Sequence, residues 1–300
     1  MNLKPHTSAP LLCALLYLCT LAASLFLRGA DLSTNTYLLV TGGVQILTYL
    51  VPLVLYGLLF GLPPVRRLRL CAPHRSSALS SFLLCLLLLL FSFTLSLLLT
   101  RVGLLQEQTG NADFSRANPY ILFLVAILLP ALCEEFVFRG ILLAAFESCG
   151  ILAAATGASL LFAFAHMDFA RLPIYFCAGM LFCAMTYVSR SLVVPVLAHI
   201  VYNAASVYLA GYIRGIALHL ESFALLFILL SAAVGLLSMA AASAASRTYA
   251  AYAAAGLDSA YTPQKMTAAE KLHGRVSVWF SLPFLMCVLI YIAVVILTLE

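Results

Sequence analysis

Nine apolar runs, each close to the length that crosses a membrane, restrict this chain more than any other feature. They fall at 10–27, 38–60, 79–100, 119–146, 151–170, 172–189, 191–210, 221–242 and 277–298. A helix needs about 20 residues to span the hydrocarbon. Lipid offers no partner to a backbone N–H or C=O, so a spanning segment must satisfy its own, and an α-helix does. The expected fold is therefore all-α, a polytopic transmembrane helix bundle of about eight or nine spans. The count turns on whether 151–210 divides into three. The composition agrees: 64% of the 300 residues are hydrophobic, 9% are charged, and the mean hydropathy is +1.08. Those values exclude an ordinary soluble domain.

The net charge of +5 comes without a Lys/Arg patch interleaved with aromatics, so it does not point to nucleic acid. Topology accounts for it. With the N-terminus in the cytoplasm, the inner segments carry Lys4, Arg66, Arg67, Arg69, Arg75, Arg190, Arg247, Lys265, Lys271 and Arg275. The outer segments carry Arg28, Arg101, Arg116, Arg171 and Arg214. That is ten against five, with Arg139 inside a run. The expected location is the cell membrane, multi-pass, with the bilayer as first partner.

Nine cysteines are scattered, mostly within apolar runs, and no CxxC occurs. They read as small buried hydrophobes, Cys133 alone adjoining the candidate site. Residues 240–263 are rich in Ala, Ser and Tyr and read as a surface helix or linker. Thr267 followed by Glu270 fits a capping box opening a short helix. The expected organisation is N-terminal helices over 1–118, a core over 119–212, and C-terminal helices with the Ala-rich linker over 213–300.

The fourth run, ILFLVAILLPALCEEFVFRGILLAAF, carries Glu134, Glu135 and Arg139. A charge at the bilayer centre costs about 2.5–3.5 kcal/mol on insertion scales. Positions four apart share a helix face, so Glu135 and Arg139 can pair. Glu134 points elsewhere and has no partner on its own helix, which suits a general acid or base better than a structural ion pair. His166 closes LLFAFAHMD, with Phe162 one turn before it on the same face. His199 and Asn203, in PVLAHIVYNAAS, also share a face.

Depth ties these residues together. With the turn placed at Gly150, Glu134 and His166 both lie roughly 20–25 Å from one membrane face at 1.5 Å per residue. His199 and Asn203 fall about 12–20 Å in from the turn near Arg190. Pro130 and Pro195 each precede a candidate residue by four positions, and each is expected to kink its helix and open space beside it.

Glu134-Glu135-x-x-x-Arg139, Phe162-x-x-x-His166 and His199-x-x-x-Asn203, in that order, resemble the three motifs of the CPBP intramembrane proteases. These include the Rce1-type CAAX prenyl endopeptidases and bacterial Abi proteins. The resemblance covers residues 119–210. It implies a membrane-embedded endopeptidase acting on a peptide or protein substrate at the bilayer. Glu134 and His166 would activate water, His199 and Asn203 would form the oxyanion hole, and Glu135, Arg139 and Phe162 would support them. A metal-free reaction is the favoured form. A divalent metal such as zinc, held by Glu134, His166 and His199, is the alternative that keeps metalloprotease chemistry open. HExxH, GxSG and GxGD are absent. Two other functions fit the same fold. One is a non-catalytic membrane scaffold or bacteriocin-immunity-type protein. The other is a proton-coupled carrier using Glu134 and the histidines as a relay.

Overall fold

The computed structural model describes residues 4–27, 32–63, 65–105, 117–257 and 267–299. Arg28, Arg116 and Lys265, used above to orient the chain, lie outside them, as does the stretch 258–266 that closes the Ala-rich segment. Among the described residues there are helices and no strands. In chain order these are α1 (Pro5–Leu27), α2 (Thr34–Phe60), α3 (Ala78–Arg101), α4 (Pro119–Cys149), α5 (Ile151–Ala165), α6 (Leu172–Ser189), α7 (Val193–His219), α8 (Phe223–Ala254), α9 (Ala268–Trp279) and α10 (Leu282–Leu299).

Seven of these are long and apolar enough to cross a membrane; α9 and α10, bent by 49° where they meet, make an eighth if they count as one span. The chain is a multi-pass membrane protein. The eight or nine expected spans become seven or eight because 151–170 is not a full-length helix. α5 stops after 15 residues, and Met167 beyond it takes the left-handed conformation at φ 50°. The Ala-rich stretch is no separate surface helix as far as Ala254, where it forms the second half of α8. α9 opens on the expected capping box: the Thr267 N–H donates to the Glu270 carboxylate at 2.8 Å, and the Glu270 N–H donates to the Thr267 hydroxyl at 3.2 Å. Large apolar side chains such as Phe26, Leu58 and Leu236 are at least 70% exposed, as lipid-facing positions should be.

The helices form two compact units interleaved along the chain. The first gathers α1, α2, α4, α5, α9 and α10. Tyr17 on α1 donates to the Leu161 carbonyl of α5, Cys287 on α10 to the Pro10 carbonyl at 3.2 Å, and Phe164 stacks on Tyr291 at 4.4 Å. Small residues let backbones meet closely, as membrane helix pairs require. Gly157 faces the Phe146 ring, and Gly274 of α9 lies against the Cys149 backbone. One end of this unit collects the start of α1, the end of α4 and α9. There the Ser148 hydroxyl and the His6 ring are 3.2 Å apart.

The second unit gathers α3, α6, α7 and α8. Ser80 and Thr248 share a hydrogen bond at 3.0 Å, and the Tyr252 hydroxyl donates to the Val188 carbonyl at 2.8 Å. Arg101 donates to the Ala217 carbonyl at 3.1 Å, satisfying an end of α7 that its own helix cannot. The Leu192 N–H reaches the Arg69 carbonyl at 2.9 Å and pins the turn before α7.

A Cβ added at Gly274 would sit 2.9 Å from Cys149 Cα, which is backbone and cannot swing aside. Gly274→Ala is therefore expected to destabilise the protein by about 1–3 kcal/mol. Gly235→Ala, where nothing lies within 4 Å, should leave stability unchanged. Thermal melts in detergent compare the two.

Candidate active site

The glutamate doublet sits on a helix that changes pitch on either side of it. Pro130 has no N–H, and its ring would strike the carbonyl four residues back. α4 answers with a wide π-turn over Phe123–Leu128, where the Leu129 N–H donates to the Leu124 carbonyl, five residues back. A regular stretch, Leu129–Glu135, carries both glutamates. A second π-turn follows over Phe136–Leu142, with the Leu143 N–H donating to Phe138. π-turns of this kind insert one extra residue and often mark functional sites. The expected kink at Pro130 is thus a change of pitch. Pro195 does not kink its helix. It is the third residue of α7, within the first turn, where an N–H has no intrahelical partner.

Glu135 and Arg139 are both buried, and Arg139 Nη1 donates to Glu135 Oε1 at 2.7 Å. The guanidinium also lies over the Phe162 ring, 4.3 Å from its centre, as a cation–π contact. Phe162 in turn meets the His166 imidazole edge-on at 4.8 Å, and Phe138 packs edge-on against Phe162 at 5.3 Å. Glu135, Arg139, Phe162 and His166 form one continuous contact chain across α4 and α5.

His166 caps the C-terminal end of α5. Its Nδ1 is 2.9 Å from the Phe162 carbonyl oxygen, which can only accept, so Nδ1 carries a hydrogen. That leaves Nε2 facing Glu134. Nε2 and Glu134 Oε2 are 3.9 Å apart, with the side chains 23% and 12% exposed. The gap is too long for a direct hydrogen bond and short enough for one water to touch both. Glu134 thus meets an imidazole on the next helix.

His199 and Asn203 lie on α7 in the second unit. His199 is 2% exposed and lies flat on the Phe182 ring of α6, at 4.7 Å and 23°. Tyr202 meets both rings edge-on at 6.3 Å. Asn203 follows His199 by one turn and is half-buried. Phe138 and Phe182 are not singled out by the sequence. Each is one aromatic among 19 phenylalanines, and only the fold shows which ring meets which imidazole.

Glu134 and His166 offer two donors of the kind zinc takes. Among the described residues no three His, Cys, Asp or Glu side chains gather closely enough to hold a metal ion. No metal ligand set is assigned.

The described helices make a multi-pass membrane protein, and within it a carboxylate and an oriented imidazole stand 3.9 Å apart. Residues 116–205 match the family model described as type II CAAX prenyl endopeptidase Rce1-like. The chain is also similar to the membrane-embedded CAAX protease MroQ of Staphylococcus aureus (strain USA300), at 34% identity over 128 residues. That match covers 39% of this chain and 51% of the relative, so the chain spans about half the length of the curated protein it matches. No solved structure matches. Both matches support the resemblance to the CPBP intramembrane proteases carried by the three motifs, and the family model spans all three.

Breaking a buried ion pair from one side costs about 3–5 kcal/mol, because a charge is left in an apolar interior. Arg139→Met is expected to lose stability on that scale. The double variant Glu135→Leu/Arg139→Met should recover part of the loss. Detergent melts of the two proteins and their parent provide the comparison.

Proposed function

We propose that the protein is an intramembrane endopeptidase in which Glu134 and His166 activate a water molecule held between them. The observation that carries this is the Glu134–His166 pair, 3.9 Å apart, with the histidine's far nitrogen engaged by the Phe162 carbonyl. That bond sets the tautomer and turns Nε2 toward the carboxylate. Glu134 takes a proton from the water as the water oxygen bonds to the scissile carbonyl carbon. The carbonyl oxygen becomes an oxyanion, and His199 and Asn203 are assigned to donate to it. The proton then passes to the amide nitrogen, directly or through His166, and the C–N bond breaks. Water and peptide are consumed; a carboxylate and an amine leave. No step is routed through a metal.

Phe182 supports the role of His199, because a ring stacked flat on an imidazole limits its rotation. Glu135, Arg139 and Phe162 hold the first pair in place through the contact chain described above. The substrate is a peptide or protein at the membrane. A prenylated CAAX tail is the natural choice only where prenylation exists; elsewhere peptides, regulators or membrane-protein tails fit as well. With α5 not crossing, every segment after it changes sides, and the Lys/Arg count no longer orients the N-terminus.

The test is a proteome-wide comparison of protein termini in cells carrying the native chain or Glu134→Gln. Termini present only with the native chain are the expected result. Identical sets, with biological activity undiminished in the variant, would favour the scaffold or immunity reading; proton flux in liposomes would favour the carrier. On a substrate found this way, His199→Ala or Asn203→Ala should each lower kcat by about 10²–10³. Dialysis against a chelator is expected to leave the cleavage rate unchanged.

A further inference from the structure

α2 runs alongside α4, and two contacts set their register. The Asn118 N–H at the start of α4 donates to Asn35 Oδ1 at the start of α2, at 2.8 Å, so the two helices start together and run parallel. Seven residues on, a Cβ placed on Gly42 would lie 3.0 Å from the Val125 side chain. Both pairs are offset by the same number of residues. Seven residues is close to two helical turns, so the next residue on this face of α2 is Tyr49. With no change of pitch its level on α4 would be Leu132. The π-turn over Phe123–Leu128 adds one residue, so Cys133 stands there with Glu134 beside it. The electrostatic neighbours of the Tyr49 hydroxyl agree, Glu134 first, with Cys133, Cys13 and Arg139 also in reach. Tyr49 itself is half-buried.

We infer that Tyr49 is a positioning residue for this site, its hydroxyl directed at the Glu134 carboxylate from α2. A phenolic O–H aimed at a carboxylate, directly or through a water, limits the rotamers of that carboxylate and keeps one oxygen turned toward the reacting water. The inference rests on Glu134 being the base of the proposed reaction.

Tyr49→Phe removes the hydroxyl and keeps the ring. The probe is a quenched-fluorescent peptide with an apolar anchor, built on the strongest Glu134-dependent cut site found by the comparison of termini. With the variant in proteoliposomes, kcat should fall about tenfold, the scale of a hydrogen bond to a charged group, with KM within about twofold and the melting temperature unchanged. In a Glu134→Asp background, where the carboxylate is already drawn back, the same substitution should lower kcat by less than about twofold, because the two act through one group. A native kcat in Tyr49→Phe, a change confined to KM, full additivity in the double variant, or a collapsed melting temperature would each overturn the assignment. Failure of the parent reading looks different: no terminus depends on Glu134, or Glu134→Gln cleaves at the native rate.

Discussion

The buried ion pair between Glu135 and Arg139 is the interaction on which the site depends. A lone charge at this depth would cost several kcal/mol, and two opposite charges one turn apart cancel most of it. The pair does more than neutralise. Arg139 extends past Glu135 to cover the face of Phe162, and Phe162 holds the imidazole of His166 through both its ring and its carbonyl. An electrostatic requirement on α4 is thereby converted into an orientation on α5. Glu134, next to the paired residue, stands 3.9 Å from His166 Nε2.

Helix pitch is the second constraint, and it follows from one residue. Pro130 cannot supply a hydrogen bond, and α4 widens by a π-turn to accommodate it. The widening alters which residue of α4 meets which residue of α2 farther along. It brings Cys133 and Glu134, instead of Leu132, level with Tyr49. A second π-turn carries Arg139 within it. The glutamates thus occupy a short regular stretch between two irregular ones, where side-chain directions differ from those of an unbroken helix. Pro195 shows the contrast. In the first turn of α7 its missing N–H costs nothing, so the same residue type leaves that helix straight.

The shortness of α5 is a third element. A helix of 15 residues covers about 22 Å and does not cross the hydrocarbon. Carbonyls left open at its C-terminal end would be costly in lipid. There the Phe162 carbonyl, among those left open at a helix end, is taken up by His166 Nδ1. An imidazole at such an end is fixed in tautomer and direction without any further residue. The helix end thereby positions the group that faces Glu134.

The amino-acid sequence by itself determined the all-helical, multi-span class, because apolar runs of this length have only one way to satisfy their backbone in lipid. It also determined the Glu135–Arg139 pair and the capping box at Thr267, because both act between residues three or four apart, where helix geometry is known in advance. The approach of His166 to Glu134 was foreseen only as a shared depth. Which side of each helix turns inward is a matter of packing, and only the tertiary structure set the distance and which nitrogen faces the carboxylate. The true length of α5, the wide turns of α4, the ring under His199 and the register that brings Tyr49 toward Glu134 were likewise decided by tertiary structure. Each depends on contacts between residues far apart in the chain, and an apolar run looks the same whichever neighbour it meets.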